Sequence, residues 1–497
     1  MKLFLGIDIG SSSVKCAVVD VETGVCIGSA FSPKTEMVIR APQQGFAEQD
    51  PHVWWDEFKH AFFELKKELN IDRESIVAIG ISYQMHGLVA VDKEGNPVMN
   101  SIIWCDSRAV NQGNQAFASL GEEFCLSHYL NSPGNLTASK LKWVKENQPE
   151  VFKKIHKIML PGDYISFRLT GEMNTTVSGL SEGVMWDVQK EALAIELLAH
   201  YGIDSALVCN VVPQFGEQGK LSVAVADELG LQVGTPIAYR AGDQPNNAYS
   251  LNVLQPGEIA ATAGTSGVVY GVIDQPAYDP KSRVNTFVHV NHQPDEKRYG
   301  VLLCINGTGI LNSWMQKNVF QGSSYPEMNS LAAATPIGAE GLLCYPFGNG
   351  AERVLENKSP GAMMNKLDFN RHTKAHLARA AQEGIVFSLC YGIEIMVAMG
   401  LKINTVRAGK ANMFLSPLFA EAFANTTGAT VELFNTDGAQ GAARAAGVGA
   451  GYYSSTNESF KGLKMLERIQ SETHLQEQYA AAYQRWKAEL DVYLGRV

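Results

Sequence analysis

The chain lacks clustered cysteines and basic runs, and each absence narrows what it can be. Its eight cysteines (16, 26, 105, 125, 209, 304, 344 and 390) are scattered, with no CxxC and no metal-ligand spacing. That pattern speaks against a disulfide framework or a cysteine-bound metal and predicts reduced, buried thiols in a cytoplasmic protein. Basic residues gather only in short pairs such as Lys66-Lys67 and Lys153-Lys154, and the formal net charge is −10. Nucleic acid is therefore not an expected partner, because phosphate-backbone binding needs clustered Lys and Arg. Asp8 interrupts the first apolar run, so no secretory leader is expected. No apolar segment reads as long enough to span a bilayer, so no membrane partner is expected either. What remains, at 497 residues with 45% hydrophobic and 19% charged side chains, is a globular protein too long for one core.

What is present centres on the stretch from Ile237 to Asp274. A short apolar run ends in Arg240-Ala241-Gly242-Asp243, which sets a carboxylate just beyond a predicted strand. Downstream, Ala263-Gly264-Thr265-Ser266-Gly267 forms a turn of small residues between two further predicted strands. A carboxylate near a loop able to offer backbone N–H groups to phosphate points to phosphoryl transfer. The start of the chain carries an echo. Leu3 to Asp8 and Val14 to Asp20 read as two strands joined by Gly10-Ser11-Ser12-Ser13. Both turns are followed, at the same interval, by an aspartate: Asp20 after Gly10 and Asp274 after Gly264. Two strand–turn–strand units half a chain apart predict two related domains whose turns could grip one phosphate chain. Asp8, at the end of the first strand, is a candidate partner for Mg²⁺.

Between these units, Pro51 opens a helix after Asp50, with Trp54, Trp55, Phe58, Phe62 and Leu65 as its inward stripe. The strand Ile76 to Ser82 runs into Tyr83-Gln84-Met85-His86-Gly87, and Ile102-Ile103-Trp104 runs into Cys105-Asp106-Ser107-Arg108. Gln84, His86, Asp106 and Arg108 thus gather at strand ends, where open α/β sheets bind ligands. Their amide, imidazole, carboxylate and guanidinium groups suit a hydroxyl-rich molecule. Lys140 and Asp163 are read as packing or surface residues. In the second half, Asn404 to Asn412 reads as a strand entering a helix through Gly409-Lys410-Ala411, and Asp437-Gly438 opens a helix of small residues. The segment 474–494 reads as an amphipathic helix without catalytic signature.

Taken in order, these motifs resemble the FGGY family of carbohydrate kinases over essentially the whole chain, and within it the branch acting on xylulose. Gly6-Ile7-Asp8-Ile9-Gly10-Ser11-Ser12 is similar to the family's first phosphate loop and Gly264-Thr265-Ser266-Gly267 to its second. Glu48-Gln49-Asp50-Pro51, Gln84-Met85-His86-Gly87, Trp104-Cys105-Asp106-Ser107-Arg108, Leu160-Pro161-Gly162-Asp163-Tyr164 and Gly242-Asp243 all have counterparts there. The resemblance implies an α/β, two-domain actin/hexokinase-like ATPase fold with ribonuclease H-like duplicated domains and a cleft between them. Its domains would be 1–235, 236–470 and a terminal helix 471–497. It implies ATP and Mg²⁺, with Asp243 as general base and Asp8 and Asp243 near the metal. Gln84, Met85, His86, Asp106 and Asp243 would contact the sugar. Gly10, Ser11, Ser12, Ser13, Lys15, Gly264, Thr265, Ser266, Gly409, Lys410 and Asn412 would bind nucleotide. A homodimer is usual in such a family. D-xylulose is the favoured acceptor, with ribulose, sedoheptulose and glycerol as alternatives. Gln244-Pro245 departs from the Gly-Asp-Asn common in xylulose enzymes and leans toward glycerol kinases, as Lys410 departs from an all-glycine adenosine turn. A non-catalytic actin-like sensor or assembly protein is the alternative from another class.

Overall fold

The computed structural model describes residues 1–496. Its backbone divides into two units. Unit 1 comprises Met1–Asn252, Phe287–Tyr299 and Thr436–Leu463; unit 2 comprises Val253–Thr286, Gly300–Asn435 and the segment from Lys464 onward.

Unit 1 is built on a five-stranded sheet in the spatial order Ile237–Gly242, Ile76–Tyr83, Leu3–Ile9, Val14–Asp20, Cys26–Ser32. The first three strands are mutually parallel, and the two hairpin partners that follow are antiparallel. Apart from Asp8, Lys15 and Asp20, the inner strands are uncharged and largely buried, as strands covered on both faces are. One face is covered by the helix Pro51–Leu69, which buries Trp54, Trp55, Phe58, Phe62 and Leu65. Asp50 caps that helix by accepting from the His52 N–H at 3.0 Å, and Pro51 opens its first turn. The other face receives the helix Gly438–Gly449. A Cβ on Gly6 or Gly80 would overlap the carbonyl oxygens of Ala439 and Ala442. Helix backbone and sheet backbone touch, which is what the run of Gly and Ala in that helix permits.

Unit 2 carries a seven-stranded sheet in the order Asn285–Val288, Tyr299–Ile305, Gly267–Ile273, Glu258–Ala263, Thr405–Gly409, Thr430–Phe434, Met465–Ile469. Glu258–Ala263 pairs antiparallel with Gly267–Ile273 and parallel with Thr405–Gly409. The first hairpin of unit 1 has the same arrangement, so the internal echo extends from sequence to topology.

Two expectations need correction. The sequence reading divides the chain at 235/236, whereas the backbone places 237–252 in unit 1. The reason is hydrogen bonding: Ile237–Gly242 is the parallel neighbour of Ile76–Tyr83. The terminal helix Thr473–Tyr493 is likewise no separate segment, since Trp486 packs on Tyr345 with ring centroids 5.1 Å apart inside unit 2. The second correction concerns the absence of any membrane-length segment. The helix Lys374–Ala398 has the length and apolarity to cross a bilayer, yet 89% of its most apolar window is buried inside the protein. It is a core helix, packed along the strand Leu343–Phe347.

Candidate active site

Asp8 is the last residue but one of a strand of the unit 1 sheet, Asp243 directly follows another, and Asp437 caps the helix lying across the sheet. Asp8 faces Lys15 across the antiparallel ladder, and the Lys15 ammonium pairs with the Asp437 carboxylate. Asp437 also accepts from the Gln440 N–H at 3.0 Å, capping its helix. Burial raises the Asp8 carboxyl above its usual range, with Asp437 adding repulsion and Ser82 and Lys15 opposing it. Asp243 is the first residue of the helix Asp243–Ser250. Burial, reinforced by the charge of Asp8, pushes it up to about 7, against hydrogen bonds from Gln244. A carboxylate with that proton affinity can accept a proton near neutral pH.

The turn Gln84–His86, expected to face the acceptor, lies in the same unit. Gln84 is buried and its amide nitrogen lies 3.3 Å from Gln49 Oε1. Gln49 in turn donates to the Ser11 carbonyl at 2.7 Å, tying this turn to the first phosphate loop. That loop closes on itself through Gly10 N–H to the Ser13 carbonyl at 3.0 Å, and the Ser12 carbonyl accepts from Met37 N–H at 2.8 Å. Met85 packs against Gly242, where a Cβ would lie 2.6 Å from Met85 Cγ and 3.3 Å from both Glu182 carboxylate oxygens. His86 has φ +60°. That backbone costs a non-glycine residue roughly 1–3 kcal/mol and persists only where its surroundings enforce it.

Asp106 is placed differently from the expectation of a sugar contact. It is fully buried, and Arg108 grips it through Nε and Nη2 at 2.9 and 2.7 Å while the Ala47 N–H donates to it at 2.6 Å. Arg108 also reaches Glu48 at 2.8 Å and lies over the Phe46 ring. In this geometry Asp106 braces the loop 45–48 and directs no oxygen outward.

In unit 2 the loop Gly264–Ser266 joins the strands of the second hairpin. Gly309 and Ile310, the first residues of the helix Gly309–Asn318, donate to the carbonyls of Gly264 and Thr265 at 2.8 and 3.1 Å. A cavity of about 410 Å³ opens beside this loop, walled by Gly264, Thr265, Gly309, Tyr325, Asn329 and Asn412 among others. Gln382 bridges two of its walls, donating to Asn329 and accepting from Ser416, both at 2.8 Å. Its size suits a nucleoside. Gly409 and Lys410 stand outside the cavity wall; the Lys410 ammonium turns to Glu467 at 2.9 Å, so no extra charge enters this cavity. Ser266 is also outside the wall. A larger cavity of about 520 Å³ lies at the Glu258 end of the same sheet and contains none of the candidate residues.

Comparison with known proteins follows the same division. The family model for the N-terminal domain of FGGY carbohydrate kinases matches residues 3–249, and that for the C-terminal domain matches 259–450. The chain belongs to the FGGY family of carbohydrate kinases. A xylulose kinase of Bacillus subtilis is 30% identical over 469 residues, covering 92% of this chain and 90% of its own. Among solved structures, a protein of Brucella ovis described as a xyloylose kinase superposes with a TM-score of 0.90 at 25% identity, covering both chains completely. A gluconate kinase of Lactobacillus acidophilus reaches a TM-score of 0.89 at 22% identity, covering 99% of this chain and 98% of its own. This FGGY protein is thus a sugar kinase with the family's two-domain fold, and that fold alone does not select the sugar.

Several residues of this FGGY site escaped the sequence reading. Asp437 was read only as the start of a small-residue helix and Glu182 not as a site residue; the fold brings Asp437 to Lys15 and Glu182 to His86. Glu182, at the end of the helix Val177–Glu182, is buried beside Gly242, and that burial raises its carboxyl well above the ordinary range. Phe287 belongs to a segment from the second half that packs with unit 1; its ring lies 5.4 Å from that of His86. Lys140 and Asp163, expected in packing or surface roles, are both buried, and Asp163 pairs with Arg240 at 2.8 Å.

Proposed function

We propose that this kinase transfers the γ-phosphoryl group of ATP to a hydroxyl of a ketose, with D-xylulose as acceptor and D-xylulose 5-phosphate as product. The observation that carries the reading is Asp243, a carboxylate raised to about 7 at a strand end beside Asp8. Asp243 takes the proton of the attacking hydroxyl as the bond to phosphorus forms. Gln84, Met85 and His86 line the acceptor side. The xylulose assignment is supported by the Met85-His86 pair and by the activity named for the Bacillus subtilis relative.

The residues around Asp8 fit Mg²⁺. Asp8 lies in the field of Asp437, and Asp243 in that of Asp8, with Lys15 as the nearby counter-charge. Among the described residues no group of three or more His, Cys, Asp or Glu side chains forms a cation cage. Few protein oxygens in an acidic setting match an ion that keeps its waters and takes ligands from phosphate. Asp8 and Asp243 would hold it, and once bound it neutralises phosphate charge. The loop Gly10–Ser13 and, in unit 2, Gly264, Thr265 and Asn412 serve the nucleotide. With ATP as donor the reaction belongs in the cytoplasm.

One observation favours a second acceptor class. Gln244 hydrogen-bonds Asp243, and an amide beside the base suits a polyol such as glycerol. A coupled assay of ATP consumption over ketoses, polyols and gluconate, with the product read by NMR, tests both. Fastest turnover with D-xylulose and phosphate on O5 is expected. Preference for glycerol or gluconate would replace the ketose reading, and no acceptor-stimulated turnover would remove it.

A further inference from the structure

The backbone N–H and carbonyl of His86 are both held by buried ionisable side chains. Its N–H donates to Glu182 Oε2 at 3.2 Å, and its carbonyl accepts from Lys140 Nζ at 2.8 Å. Lys140 also donates to the Ile103 carbonyl at 2.9 Å, so the ammonium joins the two strand-end turns. The ring is fixed as well. His86 Nδ1 lies 3.0 Å from the Glu182 backbone carbonyl. A carbonyl only accepts, so the proton sits on Nδ1 and a neutral ring carries its acceptor at Nε2.

Lys and Glu are almost never fully buried unless paired. Here Lys140 and Glu182, exposed by 0% and 1%, direct hydrogen bonds to the same residue. That residue, three positions beyond the strand Ile76–Tyr83, has φ +60°, a conformation that needs outside support. The Glu182 carboxylate also packs against Gly242, next to the base. Ser181, its neighbour, accepts from the Val288 N–H at 2.9 Å, which anchors the segment carrying Phe287. The clamp therefore touches the acceptor turn, the strand end of Asp243 and the aromatic wall behind His86.

We propose that Lys140 and Glu182 are positioning residues for the acceptor: they hold the His86 peptide left-handed and its ring in one tautomer, so that sugar affinity depends on two side chains outside the reaction. This rests on the reading of Gln84–His86 as the acceptor turn, and the test separates the two. H86A, K140M, E182A and E182Q are assayed with D-xylulose, or with the acceptor turned over fastest in the panel above, and the KM for ATP is measured alongside. H86A, K140M and E182A each raise the acceptor KM at least tenfold while the KM for ATP stays within threefold. E182Q keeps an oxygen for the His86 N–H and recovers most of the loss seen in E182A. In an H86G background, where glycine takes positive φ without strain, K140M adds less than threefold. An acceptor KM within threefold of wild type in both K140M and E182A, with H86A impaired, overturns the proposal. An unaffected H86A instead removes the acceptor-turn reading. Should K140M not fold, equal acceptor KM values for E182A and E182Q overturn it.

Discussion

Gly438 leaves just enough room for the Asp8 carboxylate: a Cβ on Gly438 would lie 2.5 Å from Asp8 Oδ2. The helix that crosses the sheet therefore begins with the one residue that lets this acid keep its position. G438A should displace the carboxylate while the rest of the helix, already alanine-rich, stays intact. We expect kcat to fall at least tenfold and the Mg²⁺ concentration for half-maximal rate to rise, with an unchanged circular dichroism spectrum. Wild-type Mg²⁺ dependence in G438A would count against a role for Asp8 at the metal.

Asp243 sets a pH dependence whose sign follows from its shift. In the proposed role as base Asp243 works unprotonated, so kcat/KM should rise with pH through an acid limb near 7. D243N should lose at least a thousandfold in kcat while still binding ATP. The same shift has a stability consequence. A carboxyl raised in the folded state stabilises it fully below the unfolded value and progressively less as pH passes the folded one. With 3.8 as the ordinary value and about 7 here, D243N should have a higher Tm than wild type at pH 8, and the gap should close below pH 4. A pH-independent gap would mean that the carboxyl is not shifted by burial.

Unit 2 offers a separate handle on the nucleotide. A Cβ on Gly309 would overlap the Gly264 carbonyl oxygen, so G309A must push the loop out of place. The KM for ATP should rise tenfold or more with the acceptor KM little changed. K410A should alter the KM for ATP by less than twofold, because the Lys410 ammonium is engaged with Glu467. A large effect of K410A would bring that lysine back to the nucleotide.

The pair Arg240–Asp163 is a stability element. Both side chains are almost wholly buried, with N and O 2.8 Å apart, and Arg240 also donates to Asn174 Oδ1 at 2.8 Å. Removing one partner strands the other charge in the interior. R240M should cost about 3–5 kcal/mol in denaturant unfolding, and R240M/D163L should recover much of it. An additive loss in the double variant would show that packing, not charge, holds this site.

Sequence by itself determined many of the elements and pointed to the candidate residues. Strands at 3–8, 14–20, 76–82 and 258–263 followed from short apolar runs between turn residues, and Asp8, Asp243 and the two hairpin loops lay beside glycine-marked turns. Those signals are local, acting between residues a few positions apart. Tertiary structure decided the rest, because the partners are distant in the chain. Glu182 meets His86 across 96 residues and Lys15 meets Asp437 across 422. The unit to which Asp243 belongs was decided by hydrogen bonding to Ile76–Tyr83. Asp106 looked like a sugar ligand beside a strand end, but Arg108 and the Ala47 N–H claim its oxygens. Lys410 looked like a nucleotide contact, but Glu467, on the strand Met465–Ile469, holds it. A motif names the residue that can do the chemistry; which neighbours its polar atoms find is decided by the packing of strands and helices that the motif does not contain.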